Sequence, residues 1–357
     1  MLGSARTPIV LLAVLSPAAN PLAGQVQIQS RATEITITGR VHTQFNTTSV
    51  NAEPGSEFLI RRARLTAVVK IDDFISGKVQ PDYGEGKITL RDAYLRMSLS
   101  PSFRVTVGQF KRPFDLFGLT SSTRTLVIER AGGVTGVDAC AGPGGVCSLS
   151  RFTEQLQYSA RDIGVLLAGR SHGGQVTYSV SVTNGTGANK ADENGAKSFT
   201  GRLTYSPSDR FAISGNVAVH DYVDDLAADN DYATAFGGDL QIGDFAGGLH
   251  VRAGLVVGDN WRSLRAGDPT TFLTAQGVVA YKASVRGSRR VSAVEPLFRV
   301  SWGDPDTDLA DDDGLLLTPG LVVHFSGRNK IAANVDIWSP STGGSEWSLK
   351  VQSYLHF

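Results

Sequence analysis

The stretch Glu346-Trp347-Ser348-Leu349-Lys350-Val351-Gln352-Ser353-Tyr354-Leu355-His356-Phe357 decides how the rest of the chain is read. Trp347, Leu349, Val351, Ser353, Leu355 and Phe357 hold the odd positions, and Glu346, Ser348, Lys350, Gln352, Tyr354 and His356 the even ones. Successive side chains of a strand point to opposite faces. The spacing therefore predicts a strand with one oily face and one wet face.

Upstream, the same alternation recurs. It predicts sixteen strands, over 35–46, 57–71, 74–83, 87–99, 102–110, 161–170, 175–184, 198–205, 209–220, 232–242, 245–257, 272–284, 289–302, 314–325, 330–338 and 346–357. One set of connections is short and made of turn residues, as in Asp72-Asp73, Ser206-Pro207-Ser208 and Gly243-Asp244. The other set is mostly long: 47–56, 111–160, 185–197, 221–231, 258–271, 303–313 and 339–345. Short turns on one rim and long loops on the other are the layout of a transmembrane barrel. A soluble sandwich has no reason to alternate its loop lengths so regularly.

Parity alone cannot say which face is wet outside and which is buried. In the first strand Ile35, Ile37, Val41 and Phe45 oppose Thr36, Thr38, Arg40, His42, Gln44 and Asn46. A sandwich would turn the oily set inward; a porin turns it outward to lipid and lines water with the polar set. Composition fits the second case. Mean hydropathy is −0.06, as expected when lipid-facing and lumen-facing residues alternate, and the 40 glycines with few helical tracts favour an all-β chain. No run reaches the roughly 18 apolar residues of a transmembrane helix. Lys+Arg and Asp+Glu balance at 34 each, so net charge gives no reason to expect nucleic acid or an acidic substrate.

At the N-terminus, Arg6 precedes the apolar run Ile9 to Leu15, and Ala and Pro fill Ser16 to Gln25. This reads as a secretory signal peptide over 1–24; a buried strand is the alternative. Export permits a disulfide, and Cys140 and Cys147 are expected to pin a small Gly-rich loop. No cysteine or histidine set has zinc-ligand spacing, and neither a metal nor a cofactor is expected. The acids Asp304, Asp306, Asp308 and Asp311 to Asp313 lack the Gly and Glu of a calcium loop. They read as solvated charges or as carboxylates bridged to lipopolysaccharide by cations.

An amphipathic final strand closing on Phe resembles the C-terminal signature of bacterial outer-membrane β-barrels. Several internal runs, Phe58-Leu59-Ile60-Arg61-Arg62-Ala63-Arg64-Leu65, Asp82-Tyr83-Gly84-Glu85-Gly86, Arg91-Asp92-Ala93-Tyr94-Leu95, Val107-Gly108-Gln109-Phe110-Lys111-Arg112-Pro113-Phe114, Ile128-Glu129-Arg130 and Ala293-Val294-Glu295-Pro296-Leu297-Phe298-Arg299, are similar to the phosphate-selective porin O and P family. The resemblance spans roughly 35–357. It implies an outer-membrane channel of sixteen antiparallel strands, a homotrimer in contact with outer-membrane lipid, and luminal Arg and Lys that draw phosphate or polyphosphate.

The inward parity gives a candidate anion path: Arg40, Arg62, Arg64, Lys70, Arg96, Arg104, Arg202, Arg252, Arg299 and Lys350. Six acids share that face, Asp92, Asp162, Asp239, Glu295, Asp336 and Glu346. The surplus of fixed positive charge in a low-dielectric tube concentrates anions, and Arg suits phosphate because its planar fork donates two hydrogen bonds. The connection 111–160 is far longer than an ordinary loop. It is expected to fold into the lumen as a constriction, carrying Lys111, Arg112, Arg124, Glu129 and Arg130. The expected function is passive diffusion of small anions such as phosphate, the alternative a general diffusion porin. An enzyme or adhesin anchored by a barrel is the third class, and no Ser-His pair or G-x-S-x-G supports it.

Overall fold

A strand with one oily and one polar face is stable only where each face meets its own solvent, and where both backbone edges are hydrogen-bonded. The computed structural model meets both conditions with a closed ring. It describes residues 26–30, 33–51, 53–138, 140, 145–223 and 230–357. The expected signal peptide lies outside the described residues.

The strands are β1 (Val26–Ser30), β2 (Thr33–Thr48), β3 (Ser56–Lys70), β4 (Ile75–Asp82), β5 (Thr89–Ser100), β6 (Phe103–Lys111), β7 (Arg161–Arg170), β8 (Val176–Thr183) and β9 (Ser198–Ser208). They continue as β10 (Phe211–Val223), β11 (Asn230–Gly243), β12 (Gly248–Arg265), β13 (Asp268–Ser284), β14 (Ala293–Asp304), β15 (Gly314–His324), β16 (Lys330–Pro340) and β17 (Glu346–His356). Each of β2 to β17 pairs antiparallel with the next, and β17 returns to β2, from His356 opposite Arg40 to Ser348 opposite Thr48. This closed sixteen-stranded barrel is the fold expected from the sequence. The short β1, which parity did not reveal, pairs with Thr33–Ile37 of β2.

The faces are inverted relative to a soluble core. Phe58, Leu203, Phe236, Leu249 and Leu355 are exposed, whereas Gln44, Thr274, Arg299, Asp336 and Gln352 are buried. Phe236 is 57% exposed, and Asp239 in the same strand 7%. Oil faces out and polar side chains face in, so the barrel is built for lipid.

One expected loop, 258–271, is corrected. There β12 and β13 run on as an 18- and a 17-residue strand joined by the tight turn Ala266-Gly267. The turn-forming residues in Gly258-Asp259-Asn260 were misleading. A Cβ at Gly258 would stand 2.5 Å from the Thr234 carbonyl, so this glycine permits close strand approach rather than a turn. The wall is correspondingly tall at β12 and β13 and low at β4 and β8, which have eight residues each.

The ring is sealed at Phe357. Its N–H donates to the Gly39 carbonyl at 3.1 Å, and its carbonyl accepts from the Gly39 N–H at 2.6 Å. The phenyl ring covers Gly39, where a Cβ would fall 2.2 Å from ring carbon Cζ. Gly39→Val should displace that ring and destabilise the barrel by about 1–3 kcal/mol. Urea titration of the protein folded in lipid vesicles should show a lower midpoint; an unchanged midpoint would remove the ring from the seal.

Candidate functional site

The site is built by the segment between β6 and β7. Pro113 follows the buried Arg112, and Asp115 then caps a short helix, α1 (Leu116–Leu119), accepting from Phe117 N–H at 2.8 Å and Gly118 N–H at 3.0 Å. A second helix, α2 (Leu149–Gln155), closes the segment. Phe114, Ile128, Leu149, Phe152, Leu156 and Tyr158 are fully buried, and Phe152 stacks on Phe272 of β13 at 4.9 Å. Inward-facing Val256, Val278, Leu297, Leu316 and Val322 belong to the same apolar cluster. The hydrophobic core therefore sits inside the barrel, against β10 to β17. Cys140 and Cys147 are joined by a disulfide, with sulfurs 1.98 Å apart.

Polar anchors hold the segment elsewhere. The Ile128 N–H donates to Asn334 Oδ1 at 2.9 Å, Lys330 Nζ to the Thr125 carbonyl at 2.7 Å, and Lys350 Nζ to the Gly133 carbonyl. The tightest clamp is on Glu129. Arg62 donates to both of its carboxylate oxygens, at 2.8 and 2.6 Å, and Arg61 Nε lies 3.0 Å from Oε1. Neighbouring residues cannot both face the lumen in a regular strand. The register of β3 against β2 slips between His42 and Thr43, leaving Arg61 as a bulge residue. A second slip, between Gln80 and Pro81 of β4, does the same for Arg91 next to Asp92 in β5.

Expected path residues divide by partner. Arg62 is neutralised by Glu129, Arg64 by Asp82 at 2.6 Å, and Arg202 by Asp239 at 2.6 Å. Arg299 and Lys350 share Asp336, at 2.8 and 2.5 Å. Lys70 is at the periplasmic end of β3, exposed and paired with Asp73 at 2.7 Å, which sets it apart from the inner path. No carboxylate contacts Arg40, Arg96, Arg104 or Arg252 among the described residues. Arg40 donates to Ser122 Oγ at 2.9 Å, Arg96 to Thr106 Oγ1 at 3.2 Å, and Arg252 lies over the Phe245 ring at 4.4 Å. Within the segment, Arg112 is locked to Asp162 at 2.5 Å, Arg124 is exposed, Lys111 donates to the Gly118 carbonyl and Arg130 to the Thr120 carbonyl at 3.3 Å.

Three neighbouring cavities share lining residues. An outer recess of about 290 Å³ is lined by Arg91, Arg161, Lys190 and Arg262, with Glu154. Glu154 and Arg161 also border a narrower space with Lys111 and Arg130. Arg130 in turn borders a third, with Arg252, Phe117 and Val278. Glu154 is the one carboxylate residue lining this file. Arg91 and Arg161 keep partners, Asp82 at 3.2 Å and Asp92 at 2.7 Å. The opposite sign collects in a separate outer recess of about 420 Å³, lined by Asp311, Asp312, Asp313, Trp338 and Glu346. Sequence parity missed Arg61 and Arg91 because both sit at bulges. A doublet of inward-type charges in an alternating strand, as in Arg61-Arg62 and Arg91-Asp92, was the available signal.

Comparison with known proteins follows the same lines. The family model for phosphate-selective porin O and P matches residues 35–237. The chain belongs to the phosphate-selective porin O and P family. The porin's barrel is similar to the outer-membrane channel DcaP of Acinetobacter baumannii, with a TM-score of 0.66 and 14% identity over 94% of this chain and 100% of that one. An anion-selective porin from Comamonas acidovorans gives 0.64 and 12% identity, over 91% and 100%. A trimer form of OmpT from Vibrio cholerae gives 0.58 and 11% identity, again over 91% and 100%. No curated protein matches the sequence. Family and fold place the porin in the bacterial outer membrane as a channel.

Removing the clamp should have a large effect. Glu129→Ala leaves the buried Arg62 charge unpaired, and stability should fall by about 3–5 kcal/mol, with noisier single-channel current. Unchanged stability and a quiet trace would show that the clamp does not hold the segment. In the acidic recess, burial and the neighbouring Asp304 and Asp306 push the Asp312 carboxyl up to about 6. A raised carboxyl pKa makes the ionised form costly to the fold. The cost is absent below the unfolded value, grows as pH rises from there, and is fully present above about 6. Carboxyl-carbon NMR should give Asp312 a midpoint about 6, and Asp312→Asn should stabilise the porin at neutral pH but not in acid.

Proposed function

We propose that the porin conducts small anions by passive diffusion, with phosphate-like oxyanions the favoured solutes, and that the β6–β7 segment narrows its lumen. The observation that carries this reading is the row of neighbouring cavities with its mostly basic charged lining. Lys111 and Arg130 are held there by backbone carbonyls rather than by direct ion pairs, so their positions are fixed, and Glu154 is the carboxylate that lines the cavity with them. In a low-dielectric tube a surplus of basic charge raises the local anion concentration. A guanidinium can replace two water contacts of an oxyanion in one plane, which offsets part of its dehydration. The acidic recess lies apart from this row and disfavours anion entry on its own side.

A homotrimer surrounded by outer-membrane lipid is part of the proposal. The family resemblance and the trimer form of OmpT support it. Transport requires no catalysis. A general diffusion porin is the second reading, favoured by the pairing of Arg62, Arg64, Arg202 and Arg299 with carboxylates. Paired walls give a transverse field with little net charge.

Reversal potentials in a KCl gradient separate the two readings. Anion preference is expected, with phosphate blocking chloride current. Arg130→Gln should reduce the anion-to-cation permeability ratio about threefold, whereas replacing the already neutralised Arg64 should have less effect. A cation-preferring wild type would falsify the proposal, and equal passage of neutral sugars and anions would favour the general porin.

A further inference from the structure

The motif Ala293-Val294-Glu295-Pro296 has no part in the path described so far, yet Glu295 is buried on the inward face of β14. Two histidines from different strands converge on its carboxylate. His250 Nε2 of β12 lies 2.9 Å from Oε1, and His324 Nε2 of β15 lies 2.6 Å from Oε2. His250 reaches past β13, where the intervening inward residue is the small, buried Ala280, paired with His250 on one side and Leu297 of β14 on the other.

Proton counting constrains this trio. His250 Nδ1 faces the Gly248 carbonyl at 3.1 Å while Nε2 faces the Glu295 carboxylate. Both oxygens are acceptors, and a neutral imidazole has one N–H. Only one of the two contacts can take an N–H while the ring is neutral, and protonating the ring supplies a donor for each. Among the described residues no group of three or more ligand side chains could hold a metal.

Its surroundings make that proton matter to transport. Arg252 of β12 and Lys282 of β13 lie on one side of β14 and Lys330 of β16 on the other, with Arg124 near Arg252; the Glu295 charge acts on both Arg252 and Lys330. The Phe245 ring packs against His250 at 4.6 Å and beneath Arg252 at 4.4 Å, coupling the two positions. Arg252 also lines a cavity with Arg130, Phe117 and Val278.

We infer that Glu295, His250 and His324 form a proton-controlled selectivity element, which sets the net charge of the periplasmic half of the lumen. With both histidines protonated the trio carries one positive charge. With one protonated it is neutral, and with none it carries one negative charge beside Arg252 and Lys330. Anion preference therefore falls as the trio loses protons. This rests on the anion-channel reading only for its direction; the existence of the pH step and its assignment to Glu295 do not.

The experiment is the KCl reversal potential of the refolded porin in planar bilayers, from about pH 5 to about pH 8. The anion-to-cation permeability ratio of the wild type should fall about twofold or more over that range. Glu295→Gln should remove most of the fall by withdrawing the carboxylate that favours the protonated histidines, and hold the ratio between the wild type's acid and alkaline values. His324→Asn should weaken it, and vesicle-reconstituted circular dichroism should be unchanged in both variants. A flat wild-type profile, or a Glu295→Gln profile with the full step, would overturn the inference. A cation-preferring wild type whose pH step disappears in Glu295→Gln would instead sustain this element and sink the anion-channel reading.

Discussion

In hydrocarbon an unpaired peptide group has no water to turn to, and each one costs several kcal/mol. Every other feature of this porin depends on meeting that constraint. A flat sheet of sixteen strands would leave two edges open; the pairing of β17 with β2 leaves none within the ring. Closure fixes which face is inside, and polar side chains then surround an enclosed space. The oily face needs no partner beyond lipid, so packing energy is released for the interior.

That interior is not an empty tube. The β6–β7 segment brings its own apolar residues, and β10 to β17 meet them with Phe272, Leu297 and Leu316 on what would otherwise be a polar face. On the other side the segment meets charge, and the bulges at Arg61 and Arg91 supply it. The two kinds of attachment differ in consequence. Apolar contact tolerates sliding, whereas the paired guanidinium groups on Glu129 fix its position through directed hydrogen bonds. Conduction can then depend on a stable gap between segment and wall.

Period-two alternation made the barrel legible because one side of every strand contacts a uniform solvent. Strand ends were legible where turn residues were true turns and misread at Gly258, which serves strand approach instead. The candidate site was only partly legible. Parity says that Arg64 and Arg252 both face inward, but not that Asp82 neutralises the first while the second rests on Phe245. Those partners come from other strands and from the periplasmic turn, and cross-strand neighbours depend on register, which a single bulge resets. The His250–Glu295–His324 contact spans three strand pairings and has no local signature at all.

The seal between Gly39 and Phe357 carries a consequence for assembly. Its two sides are separated by nearly the full length of the chain, so loop-closure entropy makes it among the most expensive contacts to form early. Until it forms, β2 and β17 are open templates for pairing with any other extended chain. The exposure of these two edges therefore lasts as long as the slowest, most non-local pairing takes to form.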